Sequence, residues 1–480
     1  MLFNSYIFLL LFFPLVFCAW QLLIRHNRNF QIAKSVLVLA SLWFYGYFKP
    51  SYLIILIISI VLNYLMCLKI WGSASSAVRR TMLTLGCILN VGVLVYFKYT
   101  GFLLENCNLF FGTHFPAFKV LLPLGISFYT FQQLSFLIDA YRGTNNKVPL
   151  VDYALFVTFF PQLIAGPIVL PGEMLPQFND PAKRPVCWEN MNAGLFLFGC
   201  GLMKKCFLAD TLAIIANIGF DSSTPLTLAE AWLVSLAYTF QLYFDFSGYC
   251  DMAMGIGKFF NIDLPLNFNS PYKSTDFQSF WRRWHITLGR FMMNYLYIPL
   301  GGNKCGIFRT CFNLFTVFVL SGIWHGAGWL FLLWGGLHGL GILINRVWHK
   351  CVLKKLPRLE MPKIPAIIVT FFFVNIFWVF FRATTLTRAW EIICSMFDFS
   401  RAAGLTKAFR HAIEDYGFER GTVMLICAIA AVLAFASPNS FEMNDKLKSR
   451  PVWRMVLTVL FTVVGFLCVG RVSPFLYFNF

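Results

Sequence analysis

Charged residues are scarce in this sequence. Only 12% of its 480 residues are Asp, Glu, Lys or Arg, about half the share found in soluble globular proteins. Hydrophobic residues make up 58%, and the mean hydropathy is +0.67. Because so few polar side chains cannot cover the surface of two or three soluble domains, the composition excludes a soluble protein and predicts an all-α, polytopic membrane protein.

Metal-binding and disulfide patterns are also missing. None of the fourteen cysteines forms a Cys-x-x-Cys pair, and many of them, such as Cys67, Cys427 and Cys468, lie within apolar runs. This placement is typical of small buried residues rather than of a disulfide framework. No two histidines have the His-x-x-x-His spacing of a short metal motif. We therefore predict no metal site and no bound cofactor.

Acidic residues are outnumbered, with 21 Asp and Glu against 39 Lys and Arg and a net charge of +18. The basic residues are spread through short loops between apolar runs and form no basic domain or tail. This distribution argues against nucleic acid as a partner. Because Lys and Arg are retained on the cytoplasmic side of a membrane, the charge indicates topology.

Apolar runs near the length of a membrane span, about 20 residues, recur along the chain. The first run, residues 1–20, has no basic residues before it and several after it, which predicts a span with the N-terminus outside. The basic loops at Arg79 and Lys354 are then cytoplasmic and the C-terminus is outside. Residues 101–118 are predicted to lie outside the membrane. Further spans are predicted near residues 34–48, 51–68, 82–97, 120–137, 193–208, 229–246, 364–381, 422 and 456.

One apolar segment, residues 151–170, does not fit this alternation. The basic loop at Arg142 and the arginine row near Arg282 should both be cytoplasmic, yet three apolar segments separate them. Pro161, Gly166 and Pro167 interrupt the first of the three, so we predict that it re-enters the membrane without crossing. The sequence shows no internal repeat or flexible linker, which predicts a single integral-membrane domain over residues 1–480.

Residues 243–339 hold three of the seven histidines and the densest tryptophan and glycine clusters. Within them, Ser274-Thr275-Asp276 supplies helix-capping residues, and aromatic residues follow at helical spacing as far as Tyr295. We predict one continuous helix along the cytoplasmic interface, with its rings toward the protein and its basic side chains toward water. The arginines on its polar faces are Arg282, Arg283 and Arg290.

Two histidines of this stretch are candidates for polar chemistry. His285 lies at the edge of the apolar face of the predicted helix, although a histidine that is merely hydrogen-bonded in a core fits equally well. His325 lies between Arg309 and Arg346, where the chain leaves the cytoplasmic side and returns. The 15 residues from Arg309 to Trp324 reach only about 22 Å, which predicts His325 deep in the membrane, near the apex of a helical pair. An ionisable side chain at that depth is a functional hypothesis.

Histidine suits general acid–base catalysis because its pKa lies near neutrality and its two nitrogens can act separately. Asp245 and Asp251 are candidates for orienting such a histidine, and spacing does not say which carboxylate reaches which ring. Gly322, Gly326 and Gly328 around His325 would allow a backbone or a substrate to come close. A proton relay in a transporter would need the same residue types and stays open as an alternative.

Seven phrases occur in one order along the chain: PLGISF (123–128), PQLIAGP (161–167), YFDFSGYCDMAMGIG (243–257), NFNSPY (267–272), FWRRWHITL (280–288), YIPLGGN (297–303) and WHGAGW (324–329). They resemble the membrane-bound O-acyltransferase family, and most of all its bacterial branch typified by the alginate O-acetylation protein. The resemblance is strong over residues 90–345 and extends only in character to residues 1–89 and 346–480. Cys250 stands where a serine is expected.

This resemblance implies a ring of about 11–13 transmembrane helices, with re-entrant and interfacial helices, around a central tunnel. A cytoplasmic thioester, expected to be acetyl-CoA, would meet an acceptor hydroxyl inside the tunnel. His325 would act as the base and His285 would assist nearer the cytoplasmic end. Asp245, Asp251 and Trp324 would support them. The three arginines named above would bind the donor phosphates or would only mark the cytoplasmic side.

The branch also implies partners and a location. The acyl group would pass to a separate extracytoplasmic acetyltransferase protein that modifies a polysaccharide such as alginate, cellulose or peptidoglycan. The chain would lie among the lipids of the bacterial inner membrane. An alternative within the same scaffold is D-alanyl transfer from a carrier protein toward teichoic acid.

Overall fold

The computed structural model describes residues 1–26, 30–118, 120–401, 404–470 and 475–476. Regular structure in these ranges is helical and contains no strand, which confirms the all-α prediction. The α-helices up to residue 220 are α1 (Phe13–His26), α2 (Phe30–Gly46), α3 (Pro50–Gly72), α4 (Ser76–Lys98), α5 (Thr100–Phe111), α6 (Ile126–Arg142), α7 (Leu150–Thr158), α8 (Phe160–Leu163), α9 (Pro171–Asn179), α10 (Trp188–Met203) and α11 (Asp210–Phe220).

The helices after residue 220 include most of residues 243–339. They are α12 (Leu228–Phe259), α13 (Phe277–Trp281), α14 (Ile286–Met292), α15 (Gly306–His325), α16 (Trp329–Val347), α17 (Lys363–Arg382), α18 (Leu386–Ser395), α19 (Lys407–Glu414), α20 (Arg420–Phe435), α21 (Ser440–Leu447) and α22 (Pro451–Leu467). Short π-helical segments also occur at Phe8–Phe12, Lys204–Ala209, Met293–Tyr297 and Trp348–Leu353.

Several helical segments are long and apolar enough to cross a membrane. Six such segments occur in the described ranges, or seven if a bent pair near the C-terminus is one span, which confirms a multi-pass membrane protein. The number 11–13 and the ring around a tunnel stay predictions. The six segments are Phe8–Arg25, Pro50–Gly72, Ser76–Phe111, Gly306–His325, Trp329–Leu353 and Lys363–Arg382, and the bent pair is Gly421–Phe435 with Ser440–Leu447.

The structure bears on two predicted segments, residues 101–118 and residues 151–170. The segment 101–118 is helical as far as Phe111 and continues the apolar segment that starts at Ser76, so the helix runs further than its apolar pattern indicated. The segment 151–170 is interrupted, as its prolines predicted, because α7 ends at Thr158 and α8 is only four residues long. The nine residues of α7 span about 14 Å, too short for the 30 Å hydrocarbon core, and re-entry stays a prediction.

The described chain forms two compact units, residues 1–199 with 249–265, and residues 200–248 with 266–480. The single domain predicted over the whole chain stays a prediction. In the first unit, a buried ion pair joins Lys34 of α2 to Asp152 of α7, and Asn179 of α9 accepts a second hydrogen bond from the same ammonium group. Removing one partner of a buried pair costs about 3–5 kcal/mol, so this contact ties three helices together.

In the second unit, α15 and α16 form a close antiparallel pair. A Cβ atom on Gly322 would lie 2.3 Å from the carbonyl oxygen of Phe331, and one on Gly335 would lie 2.5 Å from that of Phe318. Only glycine allows the two backbones to come this close. Residues 326–328 form the turn between the two helices, immediately after His325.

Candidate active site

His325 is the last residue of α15, and its side chain is only 3% exposed. Its place at the apex of a helical pair is as predicted. The helix begins at Gly306, three residues before Arg309, and the depth of His325 in the membrane stays a prediction. Twenty residues span about 30 Å, so the helix alone can cross the hydrocarbon core. His325 thus lies at the end of a span-length helix.

The continuous interfacial helix predicted from residue 277 to Tyr295 is wrong. Asp276 does cap its start, by accepting a hydrogen bond from the backbone N–H of Ser279. The helix then ends at Trp281, and α14 begins at residue 286. His285 lies in the break with φ 47° and ψ 50°, a left-handed conformation that costs a non-glycine residue about 1–2 kcal/mol. Such strain clusters at functional sites.

Asn267 holds His285 in this strained position. The amide oxygen of Asn267 accepts from the backbone N–H of Thr287 at 3.2 Å and from the hydroxyl of Thr287 at 2.8 Å. The same oxygen lies 3.1 Å from Nδ1 of His285. A carbonyl oxygen only accepts, so Nδ1 carries the proton and Nε2 of the neutral ring carries the lone pair. The contact therefore fixes the tautomer in which Nε2 can accept a proton.

The two histidine rings lie close together. Their centroids are 6.3 Å apart, and the ring of Trp324 lies 4.9 Å from His325 and 6.1 Å from His285. Phe246 packs edge-on against His285 at 4.8 Å, and Trp334 packs against His325 at 5.0 Å. His285 is 1% exposed. Burial lowers the pKa of His285 to about 3, so the ring is neutral at physiological pH.

The predicted carboxylates lie in different surroundings. Asp245 forms a buried ion pair with Lys205 at 2.7 Å, and Lys205 also pairs with Asp210 at 2.8 Å. The second carboxylate oxygen of Asp245 accepts from the backbone N–H of Leu476 at 2.9 Å. The structure thus ties Asp245 to a lysine and to the chain near the C-terminus. Asp251 is buried in the first unit, and its supporting role stays a prediction.

The three predicted donor-binding arginines differ in exposure. Arg282 is exposed, whereas Arg283 and Arg290 are half-buried. A guanidinium nitrogen of Arg283 donates to the carbonyl oxygen of Asn269 at 3.2 Å, and the backbone N–H of Asn269 donates to the carbonyl oxygen of Arg283 at 2.9 Å. Arg283 therefore helps to hold the loop that carries Asn267, and donor binding by all three stays a prediction.

Sequence reasoning missed Asn267, Phe246 and Lys205. Asn267 begins one of the seven phrases, but its distance of 18 residues from His285 corresponds to no regular period. His338 is the third histidine of residues 243–339, and spacing assigns it no role. It is fully buried, and its Nδ1 accepts a hydrogen bond from the indole N–H of Trp281 at 3.3 Å.

Known proteins are similar to this chain over most of its length. The model of the MBOAT, membrane-bound O-acyltransferase family, matches residues 140–389. The peptidoglycan O-acetyltransferase of Helicobacter pylori is 42% identical over 100% of this chain and 98% of its own length. The probable alginate O-acetylase AlgI of Pseudomonas aeruginosa is 41% identical over 94% of this chain and 84% of its own. The teichoic acid D-alanyltransferase of Streptococcus thermophilus is 27% identical over 52% of this chain and 65% of its own.

Proposed function

This chain belongs to the membrane-bound O-acyltransferase family and is an O-acyltransferase, and on that premise we propose that it moves an acetyl group from cytoplasmic acetyl-CoA across the membrane for O-acetylation of an extracytoplasmic polysaccharide. Family membership confirms the resemblance carried by the seven phrases. Acetyl is favoured because the relatives that share 41–42% identity and nearly the whole chain are named for O-acetylation of peptidoglycan and alginate. Peptidoglycan, alginate and cellulose are the candidate polymers.

The observation that carries the proposal is the pair of buried histidines whose centroids are 6.3 Å apart. His325 takes the proton of the acceptor hydroxyl while that oxygen forms a bond to the thioester carbonyl carbon. The tetrahedral intermediate then collapses, the carbon–sulfur bond breaks, and the thiolate leaves with the proton from His325. General acid–base help of this kind contributes about 10²- to 10⁴-fold.

His285 has a complementary role in this proposal. Its Nε2 carries the lone pair because Asn267 holds the proton on Nδ1. A neutral ring in this tautomer accepts a hydrogen bond at Nε2 and does not donate one there. Because the single proton of the acceptor hydroxyl goes to His325, His285 accepts instead from an N–H group of the donor and so helps to place the thioester. Its aromatic surroundings keep water away from the thioester.

The proposal includes a partner and an orientation. Acetyl would pass to a separate extracytoplasmic acetyltransferase protein, and the chain would lie in the bacterial inner membrane with both termini outside. The basic loops at Arg79 and Lys354 would face the cytoplasm, where Lys and Arg are retained. Cysteine labelling of intact cells tests this, and strong external labelling of a Lys354→Cys variant would reverse the orientation.

The rival acyl group is D-alanine. The D-alanyltransferase relatives share only 25–27% identity over about half of this chain, which places them further away. Purified protein in liposomes, supplied with acetyl-CoA or with a D-alanyl carrier protein, separates the two donors by chromatography of the released thiol. We expect release of free coenzyme A from acetyl-CoA. Turnover of the D-alanyl carrier alone would favour the rival.

The acceptor is tested in cells. Mass spectrometry of the glycans with and without this protein should show loss of O-acetyl groups from one polysaccharide. Unchanged acetylation of every extracytoplasmic glycan, at normal levels of the protein in the parent strain, would reject the proposed acceptor class.

A further inference from the structure

His338 is a buried histidine that the proposed chemistry does not use. It lies in α16, and its side chain is 0% exposed. The indole N–H of Trp281 donates to Nδ1 of His338 at 3.3 Å. Because an indole nitrogen only donates, Nδ1 carries the lone pair and Nε2 of the neutral ring carries the proton. This single hydrogen bond therefore fixes the tautomer of His338.

Aromatic rings enclose His338. Trp334 lies 4.9 Å away between centroids, Trp281 5.0 Å and Phe377 5.0 Å. Among the described residues, Nε2 of His338 has no hydrogen-bond partner. A buried donor without an acceptor is destabilising, and a phenylalanine would fill the same cage without that cost. The polar ring therefore needs a reason other than packing.

The contacts of His338 link the two segments that carry the histidines of the candidate site. Trp281 ends α13, four residues before His285. Trp334 packs against His338 on one side and against His325, at 5.0 Å, on the other. Trp281 and Trp334 also contact each other at 5.8 Å. His338 thus lies where the segment before His285 meets the helix pair that carries His325.

We propose that His338 is a positioning residue, whose hydrogen bond to Trp281 sets the separation of His285 and His325. The rings of the two site histidines are 6.3 Å apart, and the two histidines belong to different segments of the chain. Misplacement of a reacting group by about 1 Å can cost about 10²-fold in rate. This inference rests on the acyl transfer proposed above.

The test compares His338→Phe, Trp281→Phe and the double variant, each purified and supplied with acetyl-CoA. Each single variant should lower kcat about 10- to 100-fold, while the KM for acetyl-CoA stays within about threefold of the parent value. The double variant should be no worse than the worse single variant, because both remove the same hydrogen bond. His338→Asn keeps an acceptor near the position of Nδ1 and should be at least about fivefold more active than His338→Phe.

A matched control is His411→Phe, because His411 is 76% exposed on α19 and should leave kcat unchanged. Effects of the two single variants that multiply in the double variant would overturn the inference. Parent-like kcat in His338→Phe would overturn it as well. Size-exclusion profiles and melting temperatures matched to the parent ensure that only folded protein is compared.

A second readout needs no turnover. Nitrogen NMR spectra of histidine-labelled protein should show the signals of His285 and His325 shifting in Trp281→Phe and in His338→Phe, and not in the control. Unmoved signals would overturn the positioning role. If the parent releases no coenzyme A, the proposed function fails, and these spectra alone decide the inference about His338.

Discussion

Replacing Asn267 by leucine should disable the site while the helices around it stay in place. The side chain volume is nearly kept, but the amide oxygen that accepts from three donors is lost. Nδ1 of His285 and both donors of Thr287 then lack this acceptor. His285 is also free to move its proton to Nε2, which removes the lone pair that the proposed chemistry uses.

The size of the effect follows from these contacts. A buried donor that loses its acceptor costs about 1–3 kcal/mol, so three donors lower the free energy of unfolding by about 3 kcal/mol at least. Loss of this fixed hydrogen-bond acceptor misplaces the bound donor, and misplacement of a reacting group by about 1 Å lowers the rate of acyl transfer by about 10²-fold. Release of coenzyme A by purified variants measures the rate, and thermal denaturation measures stability.

Asn267→Asp is the matched control for this variant. A carboxylate accepts from the same three donors and keeps the proton on Nδ1 of His285, so this variant should retain more activity than the leucine variant. Its negative charge should also raise the pKa of His285. The reasoning about the tautomer is refuted if Asn267→Leu transfers acetyl within about threefold of the parent.

Three further predictions concern charge. Arg282→Ala should raise the KM for acetyl-CoA about tenfold at low salt, which corresponds to about 1.4 kcal/mol of binding free energy. An unchanged KM with an unchanged salt dependence would mean that Arg282 is only an orientation signal. Asp245→Asn should lower the free energy of unfolding by about 3–5 kcal/mol, because Lys205 is buried. Asp221→Asn, at an exposed ion pair, should change the free energy of unfolding by less than about 1 kcal/mol. Equal melting temperatures of the two variants would contradict this prediction. Because the pKa of buried His285 is about 3, against about 6.5 in the unfolded chain, the unfolded state binds the extra proton between these values. Lowering the pH from 7 to 5 should therefore lower the free energy of unfolding by about 2 kcal/mol. Denaturation of the parent and of His285→Gln at both pH values tests this prediction, because the variant should lack this part of the loss.

The position of His325 was predictable from the sequence because local features determine it. Basic residues at both ends of the hairpin, and glycines at its close approach, mark two helices that meet at a turn. Gly322 shows the physical reason, since a Cβ atom there would overlap the carbonyl oxygen of Phe331. The helix begins at Gly306, before Arg309, and the intervening residues Ile307 and Phe308 are apolar.

The surroundings of His285 were not predictable in the same way. The aromatic spacing of residues 277–295 continues through a break in the helix, so periodicity alone gives no sign of the left-handed residue. Its partner Asn267 lies in a non-helical loop, and the loop is brought there by backbone hydrogen bonds between Asn269 and Arg283. Lys205 and Asp245 meet across 40 residues for similar reasons. Tertiary contacts of this kind leave no period in a single sequence.

In the proposed reaction, His325 takes the proton of the acceptor hydroxyl during acyl transfer. The most direct test is His325→Gln, which keeps a polar side chain of similar size but has no titratable nitrogen. Acetylated product is measured at matched levels of folded membrane protein, with His411→Gln, on an exposed helix, as the control. We predict that His325→Gln lowers acetyl transfer at least about 10²-fold and that the control keeps the activity of the parent. Activity of His325→Gln within about threefold of the parent would contradict the claim.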